Sequence, residues 1–171
     1  MELTGLVIPA MRAQGQGRIV MNSSLLGYAA FPYRGAYNAV KFALEGISDT
    51  LRLELRGSGI AVSLVEPGPI VSRFRENCVP HFEKHIAWQS SVHRASYEAQ
   101  LARLRNPGPV APFTRGAEAV LEKVIHALES PRPRARYPVT VPSVALWWLK
   151  RLLSTRLMDR VLLRASGGGK R

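Results

Sequence analysis

Two short apolar runs, set apart by a long amphipathic stretch, limit what this chain can fold into. Ile19-Val20-Met21-Asn22-Ser23-Ser24 and Ile60-Ala61-Val62-Ser63-Leu64-Val65 are near-continuous rather than alternating. Glycine precedes each, and hydroxyls or Glu66-Pro67-Gly68-Pro69 follow, so both read as strands buried on two faces. Between them Ala36, Val40, Ala43, Leu44, Ile47, Leu51 and Leu55 recur at steps of three and four. That spacing predicts a helix from about Gly35 to Arg56, stopped by Gly57 and Gly59. Strand, helix and strand with short joints make a crossover unit of a parallel sheet. The expected class is α/β.

The rest of the chain is arranged around this unit. Residues 2–13 have a helical pattern ending near Gly15 and Gly17, and residues 25–33 form a loop closed by Pro32. Residues 70–113 are less regular; they carry Phe74, Phe82, Trp88, Tyr97 and Phe113 and close on the turn-rich Asn-Pro-Gly-Pro-Val-Ala-Pro at 106–112. A helix is expected from Thr114 or Arg115 to Glu129. A last strand is expected over Tyr137–Val141, with Pro138 arguing for a sheet edge. Residues 143–164 read as helix, and the Gly-Gly-Gly-Lys-Arg tail as disordered. No internal repeat is visible.

The 171 residues suit one domain, and a hydrophobic content of 46% excludes a mostly disordered chain. The net charge of +12 is uneven: residues 1–70 hold six basic and five acidic side chains, residues 71–171 eighteen and seven. A basic half attracts anionic partners or is simply a solvated surface. Long apolar stretches beside the charges, and no recognition motif, argue against a nucleic-acid binder. One cysteine, Cys78, rules out a disulfide framework and fits a reducing, cytoplasmic setting. The histidine pair His81 and His85 stands without an HExxH, so no metal site is expected.

The chemistry-bearing residues are Ser24, Tyr37 and Lys41. Tyr37 and Lys41 are four apart on the expected helix and so share a face. A phenol, with a pKa of about 10, is a poor base, and a neighbouring ammonium is expected to lower that value. The pair can then exchange a proton with a substrate oxygen, while Ser24, closing the adjacent strand, holds that oxygen. Strand ends of open parallel sheets are where ligands sit. Read singly, each residue has a plainer account: a turn serine, a packing tyrosine, a chance Tyr-x-x-x-Lys.

Taken jointly, GRIVMNSS, YNAVKFALEGISDTLRLEL and AVSLVEPGPIVSRF resemble the second half of the short-chain dehydrogenase/reductase family. The resemblance spans at least residues 2–75 and extends more loosely over 114–140. It implies a Rossmann-like, doubly wound parallel sheet, truncated to its last three strands with flanking helices. It also implies hydride transfer between NAD or NADP and an alcohol or ketone. Ser24, Tyr37 and Lys41 fall on the family's catalytic positions. Tyr37 would be the general acid or base, Lys41 would lower its pKa and bind the nicotinamide ribose, and Ser24 would orient the substrate oxygen. Pro67, Gly68 and Ile70 would line the nicotinamide, and Ser72 would lie near its carboxamide. Residues 1–142 would form the partial dehydrogenase domain, with a substrate lid at 70–113, and residues 143–171 a basic amphipathic helix and flexible tail. The family context implies a homo-oligomer in the full-length form.

No glycine-rich strand-to-helix turn precedes Ser24, and Gly15 and Gly17 stand before a strand rather than after one. The expectation is a chain that lacks the N-terminal cofactor-binding half, begins inside a helix, leaves the Ser24 strand with an open edge and binds nicotinamide poorly alone. The residue that separates NAD from NADP would belong to that half. The alternative reading is a truncated, non-catalytic remnant acting as a binding or interaction module. The aromatic lid favours a hydrophobic substrate, steroid-, retinol- or lipid-like. Residues 143–164, with five basic side chains and one acidic, are too often interrupted by charge to span a bilayer. They suit either docking on the domain or peripheral contact with the inner face of a membrane.

Overall fold

The computed structural model describes residues 2–106, 108 and 111–166. The proline-rich turn at 106–112 lies partly outside the described residues and the Gly-Gly-Gly-Lys-Arg tail wholly outside them. Among the described residues seven helices and three strands follow one another as α1 (Glu2–Gln14), β1 (Gly17–Asn22), α2 (Gly35–Glu54), β2 (Ile60–Glu66), α3 (Phe74–His85), α4 (Arg94–Arg105), α5 (Glu118–Glu129), β3 (Arg136–Pro138), α6 (Val141–Leu152) and α7 (Thr155–Ala165). Short 3-10 turns occupy Leu25–Gly27 and Trp88–Ser90.

The sheet is parallel, in the order β1-β2-β3. β1 and β2 pair from Gly17 opposite Ile60 to Asn22 opposite Val65, and β3 joins β2 from Leu64–Arg136 to Glu66–Pro138. Among the described residues Pro138 lies on an edge strand, where its missing N–H costs no ladder bond. Among the described residues β1 has a strand neighbour on one side only.

Alternation along the strands sends their side chains into two cores. Ile19, Ile60 and Val62 pack with Leu55 and Leu51 of the α2 segment and with Ile8 and Met11 of α1. Val65 and Tyr137 face the other way, onto Ala127, Val120 and Val124 of α5. Helices on both faces are the reason the two strands read as unbroken apolar runs. The turns entering β1 and β2 touch: Gly17 N donates to Gly59 O at 3.3 Å. Gly59 has φ +77°, and a Cβ there would lie 1.9 Å from the Gly15 carbonyl oxygen, so only glycine fits.

Several boundaries differ from the sequence expectation. Residues 70–113 are more regular than their composition suggests: α3 and α4 pair, with Phe82 and Tyr97 edge-to-face at 5.9 Å and Leu101 buried. Arg75, at the start of α3, is tied to the segment after α4: its guanidinium donates to the carbonyls of Asn106 and Gly108, each at 2.7 Å. α5 starts at Glu118 rather than at 114 or 115 because Arg115 is spent on the β2 exit loop. Arg115 N donates to Pro69 O at 3.1 Å, and Val71 N donates to Arg115 O at 2.8 Å. The last strand stops at Pro138, since Pro142 in the first turn starts a helix there.

Residues 143–164 are two helices, not one. The chain turns extended at Leu153 and Ser154, and α7 restarts at Thr155. A straight helix of that length would run about 33 Å. The break lets Leu146, Leu149 and Leu153 of one arm and Met158 and Leu162 of the other meet the same cluster, around Leu25, Leu26 and Ala29. The inner faces of both helices therefore dock on the domain, and Tyr28 adds a hydrogen bond to Ser143 O at 2.8 Å.

Candidate active site

Ser24 follows β1 in extended conformation and caps the 3-10 turn. Its Oγ accepts from Leu26 N at 3.1 Å and reaches toward Pro67 O at 3.5 Å. Leu25 N holds the same carbonyl at 2.9 Å, so the exits of β1 and β2 are joined at this point. Tyr37 stands in the first turn of α2, half-buried beside Ser24, with its ring 5.4 Å from that of Phe74. Lys41, one turn on, donates from Nζ to Asn22 O at 2.8 Å, and its ammonium lies 5.6 Å from the Tyr37 ring centre. The three sequence candidates thus meet at the carboxyl end of β1.

The electrostatics differ from the expectation. Burial pushes the Tyr37 phenol above its usual range, and the Ser24 hydroxyl pulls it part of the way back. The Lys41 ammonium is directed at the Asn22 carbonyl. Burial lowers Lys41 itself, and the charge of Glu45 opposes that shift. The phenol therefore keeps its proton at neutral pH.

The residues after β2 have mixed surroundings. A Cβ on Gly68 would fall 2.1 Å from Thr140 Oγ1 and 2.7 Å from Ser143 Oγ, so the close approach it permits is to the start of α6. Ile70 forms a parallel bridge with Arg115. Ser72 is exposed, and its Oγ accepts from Phe74 N at 3.4 Å at the start of α3. Among the described residues no group of histidine, cysteine and carboxylate side chains could hold a metal ion.

A buried ionic network lies directly beneath this site, and the sequence reading missed it. Ser23 donates to Glu45, and Arg136 donates to Glu45, to Glu66 at 2.6 Å and to Asp49 at 2.7 Å. Glu66 is fully buried, and among the described residues its Oε2 has no hydrogen-bond partner. Burial and the nearby Glu45 carboxylate raise Glu66 to about 7 against the pull of Arg136. One signal was present. Tyr37, Lys41, Glu45 and Asp49 are spaced by four, so one polar stripe runs down α2.

A family model described as short chain dehydrogenase matches residues 1–81. An uncharacterized oxidoreductase, YbbO of Escherichia coli (strain K12), is 48% identical over 161 residues, covering 94% of this chain and 54% of that protein. Retinol dehydrogenase 8 of Homo sapiens is 28% identical over 167 residues, covering 95% and 54%. A short-chain dehydrogenase from Burkholderia cenocepacia J2315, solved in complex with NADP, shares the fold with a TM-score of 0.62. That match is 19% identical and covers 90% of this chain and 52% of the other. The chain spans about half the length of the curated relatives it matches.

Proposed function

The chain belongs to the short-chain dehydrogenase family, and from that premise we propose that it supplies the substrate end of an oxidoreductase acting on an alcohol or ketone with NAD or NADP. The observation that carries this reading is the convergence of Ser24, Tyr37 and Lys41 where β1 ends against α2.

The donor set suits a nicotinamide nucleoside. Lys41 has three N–H donors and spends one on Asn22, leaving two toward a ribose. The backbone of Pro67, Gly68 and Ile70 and the Ser72 hydroxyl would hold the nicotinamide side. A bound nicotinamide supplies the hydride donor or acceptor. Ser24 orients the substrate oxygen by hydrogen bonding. Tyr37 holds the proton that this oxygen gains or loses. Because burial keeps the phenol protonated, its resting form is the one that protonates the oxygen of a ketone under reduction. Phe74, beside the Tyr37 ring, makes one wall apolar, which favours a hydrophobic substrate. The likeness to a human retinol dehydrogenase supports a lipid-like alcohol or ketone.

Replacing Tyr37 with Phe tests the assignment. In a turnover-competent form of the protein, Tyr37→Phe is expected to abolish turnover while nicotinamide binding survives. Unchanged turnover would refute it. The chain taken alone, whose sequence has no glycine-rich strand-to-helix turn, is expected to bind nicotinamide cofactor weakly in isothermal titration.

A further inference from the structure

The inner faces of α6 and α7 are buried in the domain, and their outer faces have a different composition. On α6, Val141, Val144, Ala145, Trp148 and Leu152 lie on one helical face, opposite the buried Ser143 and Leu146. Trp148 and Leu152 are 55% and 75% exposed. On α7, Arg156, Arg160 and Arg164 recur at steps of four on the face away from the buried Met158 and Leu162, and exposed Leu157 and Leu163 flank them. Arg151 adds a further guanidinium, stacked 3.4 Å from the Trp147 ring centre.

We propose that the outward faces of α6 and α7 form a docking surface for an anionic phospholipid bilayer. Both helices bury their inner faces in the same cluster, so the apolar stripe of α6 and the arginine row of α7 both lie on the side away from it. Tryptophan and leucine enter the boundary between headgroups and acyl chains, while guanidinium groups pair with phosphates, and the two contributions add. Among the described residues no helix is long and apolar enough to cross a membrane, so the contact lies along the surface. A second copy fits less well. A two-fold contact sets a patch against itself. Residues 141–166 carry five basic side chains and only Asp159 as an acid, so like charge would meet like charge. This inference does not depend on the oxidoreductase reading.

The test is co-sedimentation of the chain with vesicles of mixed phosphatidylglycerol and phosphatidylcholine, and with vesicles of phosphatidylcholine alone. Tryptophan emission is followed in parallel. Salt-sensitive binding to the mixed vesicles with a blue-shifted emission is expected, with little binding to the neutral ones. Arg156→Gln/Arg160→Gln/Arg164→Gln is expected to cut partitioning at least about tenfold. Trp148→Ser/Leu152→Ser should cut it comparably and remove the blue shift. Both variants change only exposed side chains, so their thermal unfolding should match that of the unmodified chain. Failure to bind the mixed vesicles would overturn the proposal, as would unchanged binding by both variants. Dimers that Trp148→Ser/Leu152→Ser converts to monomers, without vesicle binding, would assign the stripe to a second copy and overturn it too.

Discussion

The Ser23 hydroxyl donates to the Glu45 carboxylate, and with the Lys41 bond to Asn22 O it ties the end of β1 to the helix that carries Tyr37 and Lys41. Glu45 is simultaneously held by Arg136, which also grips Glu66 and Asp49. Relative motion of Ser24 against Tyr37 therefore requires breaking a buried network that links β1, α2, β2 and β3.

Arg136→Ala should be strongly destabilising. It leaves Glu45 and Glu66 buried beside each other with no cation, a loss on the order of 3–5 kcal/mol for one partner of a buried ion pair. Urea unfolding at neutral pH measures it. Removing the cation raises Glu66 further above about 7, so the deficit should grow as the pH is taken above neutral. A loss of only a few tenths of a kcal/mol would show that the network contributes little.

Glu66 makes stability depend on pH in an unusual sense for a carboxylate. Its folded pKa is raised from an ordinary 4.5 to about 7 by burial and the nearby Glu45 carboxylate. Between these values the folded state holds the proton more tightly than the unfolded state does, so stability falls as pH rises through the window. Its full contribution is present below about pH 4.5. The change is on the order of 3 kcal/mol by linkage. Glu66→Gln should remove this slope, and unfolding of both proteins from pH 4.5 to 8 checks it.

Ser24→Ala should raise the Tyr37 phenol further, because the serine hydroxyl is what eases the effect of burial. Titration of ring-labelled tyrosine by NMR follows Tyr37 apart from the other four tyrosines. A Tyr37 midpoint that stays where it is, or falls, would show that Ser24 does not act on the phenol.

Two glycines should respond differently to alanine. Gly68→Ala drives a methyl onto the side chains of Thr140 and Ser143 and should cost about 1–3 kcal/mol. Thr140→Ala added to it should recover part of that loss. Gly59→Ala meets the backbone carbonyl of Gly15 at positive φ, so no side-chain deletion can relieve it. Thermal melts of the single and paired variants separate the two cases.

The local pattern was sufficient for the crossover unit. Apolar runs bounded by glycine and proline, and a three-four repeat between them, located β1, α2 and β2 to within about two residues, because burial on two faces leaves a direct trace in composition. The same helical spacing placed Tyr37 and Lys41 on one face. Boundaries failed where distant segments compete for backbone. Arg115 joins Ile70 instead of starting α5, and the 143–164 helix breaks so that both arms reach Leu25 and Leu26. Neither partner is visible from within its own segment.

Local pattern was enough for the parallel α/β class and for the residue types and spacing of the candidate site. The electrostatics came from packing between distant segments. Whether Lys41 faces the phenol or the Asn22 carbonyl depends on where β1 ends against α2. Whether Glu66 is charged depends on Arg136, seventy residues away, meeting Glu45 beneath the sheet's end. A pKa is set by the desolvation and charges around a group, and those come from chain segments that the fold alone brings together.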